Sequence, residues 1–352
     1  MRTRAVFFLV LSTLVVLASP SFGRQAHDRM QNVILVGWDG AQRNHLKESL
    51  GRGELPNFKR LIDAGSYVDI DVQGTTDTKA GWTQILTGYN PEVTGVYSNS
   101  RYQPIPAGYT IGERLKEQFG PEFVAAAVIG KKGHVDADAP ERVQIQPKTA
   151  TELRALRRAQ QRGVNARTSR ELSLQARFIG GKIIQEGGKY FVDIPGKPYY
   201  HTKAGLDLFI NGLTENSRVA EKAMELLGKY KDKRFFFFVH FAEVDHNGHQ
   251  SGENSSEYND ALISCDNWTG KIMQKLDELK LADKTLVYIT ADHGFDEGMK
   301  RHRDAPYVFL ATNDTKVKRN GLRVDITPTI LWRLGIDLRK FDPPLDGKSL
   351  GE

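Results

Sequence analysis

Carboxylate and imidazole side chains recur in this sequence at the ends of short apolar runs. Asp39 closes the run Asn32-Val-Ile-Leu-Val-Gly-Trp-Asp39-Gly40. Asp245 and His249 stand in Val244-Asp-His-Asn-Gly-His249, just after an apolar run at 235–241. Asp292 and His293 follow the run at 285–290, and His302 comes shortly before another. Oxygen and nitrogen donors without thiolate suit zinc, or manganese as the oxygen share rises. Six such groups exceed the needs of one tetrahedral ion and divide into two sites, as two-metal hydrolysis requires. Taken singly, each has a plainer role, since an Asp after a strand often caps a helix and a lone His is usually a satisfied polar group. Thr75, Thr76 and Thr78 cluster ahead of a helical run at 81–87. A hydroxyl at a helix N-terminus gains from the positive dipole end, and a metal-bound hydroxyl can act as an alkoxide near neutral pH. The same threonines would serve equally as helix caps, and spacing alone does not choose among them.

The elements that must position these groups are legible as alternating periods. Near-continuous apolar runs at 32–38, 123–129, 235–241 and 285–290 predict buried strands, with further strands at 68–72 and 307–311. Helical spacing predicts helices at 56–64, 81–87, 111–119, 216–230, 258–279 and 324–334, the fourth carrying Val219, Ala223, Met224 and Leu227 on one stripe. Strands alternating with helices imply a layered α/β domain with a mainly parallel central sheet. Open sheets of this kind place their sites at the carboxyl ends of the strands, which is where the carboxylates and imidazoles fall.

Composition narrows the class. The chain has 352 residues, 39% hydrophobic and 26% charged, with a formal charge of +6. That is ordinary globular composition and excludes disorder, collagen and coiled coil. One cysteine, Cys265, excludes an intramolecular disulfide framework and a cysteine-rich zinc finger. Residues 1–23 read as a secretory signal: Arg2 and Arg4, an apolar stretch from Ala5 to Ala18, then small residues at Ser21 and Gly23. The expectation is an exported protein, periplasmic or secreted, with 24–352 as a single hydrolase domain and no membrane span after cleavage. Residues 148–182 carry a surplus of basic side chains, among them Arg154, Arg157, Arg158 and Arg170. This stretch is expected to lie in a basic cap or insertion at 131–215, as a solvated face or as a funnel for an anionic substrate. Asn254, Asn267 and Asn313 are glycosylation acceptors if the host modifies exported proteins.

Four segments then carry a resemblance. They are Gly37-Trp-Asp39-Gly40; Thr78-Lys-Ala-Gly-Trp-Thr-Gln-Ile-Leu-Thr87-Gly88, running on to Asn99 and Tyr102; Asp245-His-Asn-Gly-His249-Gln-Ser-Gly252; and Asp292-His293-Gly294. Together with Val324-Asp-Ile-Thr-Pro-Thr-Ile and Asp346-Gly-Lys-Ser-Leu350 they resemble the alkaline phosphatase superfamily, most of all its nucleotide pyrophosphatase/phosphodiesterase branch. The resemblance implies an alkaline-phosphatase-like sandwich with a small cap. It makes Thr78 the nucleophile, through a phosphothreonine intermediate. It places one Zn2+ (Mn2+ as the alternative) on Asp39, Thr78, Asp292 and His293, and the other on Asp245, His249 and His302. Asn99 and Lys79 become candidate substrate contacts.

The chain departs from the branch at the nucleophile, where Thr-x-Pro-Asn is replaced by Thr78-Lys-Ala-Gly81. Gly130-Lys131-Lys-Gly-His134 is faintly similar to a sulfatase Gly-Lys-x-His element, but the sulfatase Cys/Ser-x-Pro-x-Arg motif is absent. The expected activity is hydrolysis of a small anionic phosphate ester, a diester or nucleotide pyrophosphate first. Monoester, sulfate or phosphonate-ester hydrolysis at the same site is the alternative. A non-catalytic binding protein of the same fold ranks below these, and nucleic-acid binding below that. Tyr199, Tyr200 and Phe191 are either stacking surfaces or ordinary packing.

Overall fold

The computed structural model describes residues 31–145 and 182–351. The signal segment and most of the basic stretch at 148–182 lie outside the described residues. An eight-stranded sheet forms the centre. In chain order its strands are β1 (Asn32–Trp38), β2 (Ser66–Asp71), β3 (Val124–Ile129), β7 (Leu208–Asn211), β8 (Phe235–Phe241), β9 (Thr285–Thr290), β10 (Tyr307–Thr312) and β11 (Gly321–Leu322). Across the sheet they run β11-β2-β10-β9-β1-β8-β3-β7. All neighbours are parallel except β10, which is antiparallel to both β9 and β2. The mainly parallel α/β expectation is therefore met.

β1, β3, β8 and β9 are buried along their whole length, which is why they read as unbroken apolar runs. Helices cover both faces, as a parallel sheet demands. Helix α2 (Pro56–Ala64) turns Phe58 and Leu61 inward. Helix α7 (Asn216–Lys229) buries Val219, Ala223 and Leu227. The long helix α9 (Ser256–Glu278) starts from a Ser255 side-chain cap and buries Leu262, Cys265 and Ile272.

Helix α3 (Thr78–Thr87) is buried on every side. Its Trp82 lies over β1 where Gly37 leaves space; a Cβ there would come within 2.3 Å of the indole. Full burial of one such side chain contributes about 2–3 kcal/mol, and here it also anchors the first turn of the helix. The sequence pattern started this helix at 81; it begins at Thr78, because a helix buried all round has no polar face to mark its edge.

The range 131–215 divides between two structures. Strands β4 (Glu141–Ile145), β5 (Lys182–Glu186) and β6 (Lys189–Ile194) form a small antiparallel sheet in the order β4-β6-β5. Gly187 and Gly188 both adopt positive φ in the two-residue turn between β5 and β6. β7, from the same range, instead joins the central sheet beside β3. Short helices over Arg43–Gly51 (α1), Pro91–Thr94 (α4), Tyr200–Gly205 (α6) and Glu243–Ser251 (α8) had too few turns to show a period. Among the described residues no helix is long and apolar enough to cross a membrane.

Candidate active site

The central strands end together. Gly37 of β1 is level with His240 of β8 and with Thr290 of β9, so the residues that follow emerge side by side. Asp39 donates its backbone N–H to Phe241 O at 3.0 Å, and Asp245 donates its own to Asp39 O at 3.0 Å. Gly40 turns the chain with φ +79°, and a Cβ there would strike the Asp245 backbone. Asp245 and His249 lie on α8 one turn apart, so both side chains share a face.

Three buried carboxylates converge on one imidazole. His293 Nε2 lies 3.5 Å from Asp39 Oδ1, 3.5 Å from Asp292 Oδ2 and 3.6 Å from Asp245 Oδ1. None of those three oxygens has a hydrogen-bond partner. Buried polar atoms are almost always satisfied, so three orphans aimed at one point mark a place built for a cation. Asp39, Asp292 and His293 form one ligand-like cluster, and Asp245, His293 and His302 another. His302 stacks on His293 with ring centroids 3.9 Å apart. His249 Nε2 faces Asp245 Oδ1 at 3.4 Å. The six groups picked from the sequence are thus one constellation, with His293 in reach of both halves.

The surrounding bonds orient these ligands. His293 Nδ1 pairs with Gly294 O at 3.0 Å, and His249 Nδ1 pairs with Lys300 O at 3.0 Å. Each ring then donates from Nδ1 and turns the Nε2 lone pair inward. Burial, then the His302 ring, pushes the His293 imidazole down to about 3, so it is a neutral donor at physiological pH. Burial and the Asp39 charge push Asp292 well above the ordinary carboxylate range. A divalent ion would reverse that by supplying the missing positive charge. The residues present therefore fit a metal centre.

Thr78 opens α3, and its hydroxyl donates to His293 Nε2 at 3.2 Å. The other two threonines are engaged elsewhere. Thr75 Oγ1 accepts from Asp77 N, and the Thr76 hydroxyl donates to His302 O. Lys79 and Asn99 sit beside this turn in supporting geometry. Asn99 Oδ1 accepts from Lys79 N at 3.0 Å, while the buried Lys79 ammonium donates to Gly133 O at 2.7 Å. Burial, then Lys197, holds that ammonium down to about 7. Tyr199 is buried and packs in the core; Tyr200 is exposed.

Sequence reasoning missed three contributors. His240 Nε2 donates to Asp39 Oδ2 at 3.0 Å from inside β8; its signal was a single polar residue within Phe235-Phe-Phe-Phe-Val-His-Phe. Arg323, wholly buried, donates to Asp292 O at 2.5 Å, Thr75 O at 2.9 Å and Gln73 O at 3.1 Å, tying the Asp292 turn to the Thr78 turn. Lys131 donates to Asp245 Oδ2 and lies 3.6 Å from Asp39 Oδ2. Burial opposes its charge, but Asp39 and Asp245 outweigh that and raise its pKa. Its signal was the Gly130–His134 element.

The sequence model of the type I phosphodiesterase / nucleotide pyrophosphatase family matches residues 33–331. The chain belongs to this family. Over 268 residues it is 26% identical to ectonucleotide pyrophosphatase/phosphodiesterase family member 1 from Homo sapiens, a match covering 75% of this chain and 24% of that protein. Over 89 residues it is 36% identical to steryl-sulfatase from Rattus norvegicus, covering 24% of this chain and 15% of that protein. The chain spans about a quarter or less of the length of the curated relatives it matches. A solved structure of a protein in the alkaline phosphatase superfamily from Vibrio parahaemolyticus superposes with a TM-score of 0.54 at 17% identity, covering 92% of this chain and 70% of that one. The mixed, mainly parallel α/β sheet agrees with that neighbour.

Proposed function

We propose that the protein is an exported, metal-dependent hydrolase of phosphate esters, with phosphodiester or nucleotide pyrophosphate bonds as the favoured substrates. The observation that carries this reading is the Thr78 hydroxyl at a helix N-terminus, 3.2 Å from the imidazole on which three unpartnered carboxylate oxygens converge. Asp39, Thr78, Asp292 and His293 would hold one divalent ion and Asp245, His249 and His302 a second. Carboxylate, imidazole and hydroxyl donors favour zinc, with manganese as the alternative. Bound there, the metal supplies Lewis acidity that makes a hydroxyl nucleophilic and offsets charge on the phosphoryl oxygens.

The chain's own residues do the rest. Thr78 Oγ attacks phosphorus in line, the bond to the leaving oxygen breaks, and a phosphothreonine forms. Water then attacks the same phosphorus and returns Thr78 to its hydroxyl. Arg323 and His240 hold Asp292 and Asp39 in place, so little reorganisation is needed at the moment of reaction. Lys131, an extra cation within the centre, favours a second reading in which phosphate monoesters, more negative than diesters, turn over at the same residues.

The test is a side-by-side assay on purified protein loaded with zinc, using bis-p-nitrophenyl phosphate, p-nitrophenyl phosphate and p-nitrophenyl sulfate. Diester cleavage is expected to dominate and to vanish in Thr78→Ala while metal content stays near that of the parent. Full turnover in Thr78→Ala would overturn the assignment of the nucleophile. Dominant monoester or sulfate cleavage would move the substrate class.

A further inference from the structure

Lys131 stands among the ligands of the centre. Its backbone is pinned by its neighbour: Gly130 N donates to His240 O at 3.0 Å, and Thr214 N donates to Gly130 O at 3.0 Å. The side chain is four-fifths buried, and its ammonium pairs with Asp245 Oδ2 and approaches Asp39 Oδ2. Each of these two carboxylates is therefore divided. One oxygen faces an organic cation that is part of the chain, and the other is left without a hydrogen bond on the His293 side. Three carboxylates against one ammonium leave two negative charges. One divalent ion balances them, whereas a second overshoots by two charges and must sit beside an ammonium that cannot diffuse away.

We propose that Lys131 is a fixed counter-cation that sets the metal stoichiometry of the centre. One divalent ion binds tightly at Asp39, Asp292 and His293, and a second, at Asp245, His249 and His302, binds more weakly because the Lys131 ammonium already neutralises Asp245. The proposal rests on the reading of this centre as metal-binding and deepens it. An ion at the second position must then share Asp245 with the ammonium, so its affinity carries the repulsion between the two cations or the cost of breaking the Lys131–Asp245 pair. At the first position Asp39 meets the ammonium only at 3.6 Å and Asp292 makes no ion pair with it, so the cost there is smaller.

The experiment is a zinc titration of the metal-free protein by calorimetry, with zinc counted by mass spectrometry after dialysis against buffered zinc. The parent is compared with Lys131→Met and Lys131→Gln, each checked for native circular dichroism; the glutamine keeps a donor and serves as the folded variant if the methionine does not fold. The parent is expected to retain one zinc per chain and to take a second at least about tenfold more weakly. Both variants are expected to retain two, with the second binding step tightened by about tenfold or more, and by more than the first. Two equal high-affinity ions in the parent, or unchanged second-step affinity in folded variants, would overturn the role of Lys131. A parent that binds no divalent ion, with Asp292→Asn behaving identically, would instead overturn the underlying metal reading.

Discussion

Replacing Gly81 with asparagine restores the last residue of the Thr-x-Pro-Asn pattern, yet it should damage the site. A Cβ on Gly81 would lie 2.8 Å from Asp292 O, 2.9 Å from Asp292 Cβ and 2.9 Å from Arg323 Nη1. Ordinary carbon contacts begin at about 3.5 Å, so the new atom overlaps a backbone carbonyl, a ligand side chain and the guanidinium that holds both. Overpacking of this kind costs about 1–3 kcal/mol. Alanine in a helix interior is worth about 1 kcal/mol more than glycine, so Gly81→Ala should come out close to neutral or destabilised by up to about 2 kcal/mol, and the larger Gly81→Asn below it. The displaced atoms belong to Asp292, and a misplacement of about 1 Å at a catalytic group can cost about 100-fold. Urea denaturation of both variants, with kcat/KM on the substrate that the parent prefers, reads the two effects. A Gly81→Asn protein as stable as the parent and at least as active on a diester would refute the steric reasoning and make the glycine a specificity choice instead.

Arg323→Met removes the donor from the buried Asp292 carbonyl and from the more exposed Thr75 and Gln73 carbonyls on a separate segment and should destabilise the fold by about 1–3 kcal/mol in urea. Arg323→Lys should fail to restore it, since one ammonium cannot match a planar fork; rescue by lysine would count against the tie between the two turns. Burial, then Lys131 and Lys79, pushes the His134 imidazole down to about 3, and its Nδ1 has no partner. Below about pH 6.5 the unfolded chain takes up a proton that the folded protein does not, so stability falls with pH, by about 2 kcal/mol at pH 5 from this group. His134→Gln should therefore lose about 2 kcal/mol less than the parent between pH 7 and pH 5 in urea midpoints. Equal losses would remove His134 from the acid response.

The central sheet was readable because β1, β3, β8 and β9 are buried on both faces and so announce themselves as apolar runs. The candidate ligands were readable for a related reason: an open sheet puts its chemistry just past the strand ends, and Asp39, Asp292 and His293 sit there directly. Asp245 and His249 were recognised just past a strand end as well, while the nine-residue helix that carries them was too short to show a period. The buried α3 was shortened because Thr78 to Gly81 carries no apolar stripe. β5 and β6, half exposed and rich in charge, gave no run to follow. Lys131, His240 and Arg323 were hidden because their importance lies in partners far away in sequence, which only the sheet register brings near.

That register has a consequence for the order of events as the chain is made. β1, the earliest in sequence of the described strands, lies in the middle of the finished sheet, and both its neighbours come late: Asn32 meets Phe235 across 203 residues and Thr285 across 253. At about 5–20 residues per second, roughly 10–50 s pass between the appearance of this strand and that of its last partner. Until then its five apolar side chains have no permanent place, and no half of the centre can assemble around Asp39 alone. The chain must therefore be kept from collapsing on itself for most of its synthesis. Its metal-binding power should arrive abruptly, with the strand that ends at Thr290, rather than accumulating as the sequence grows.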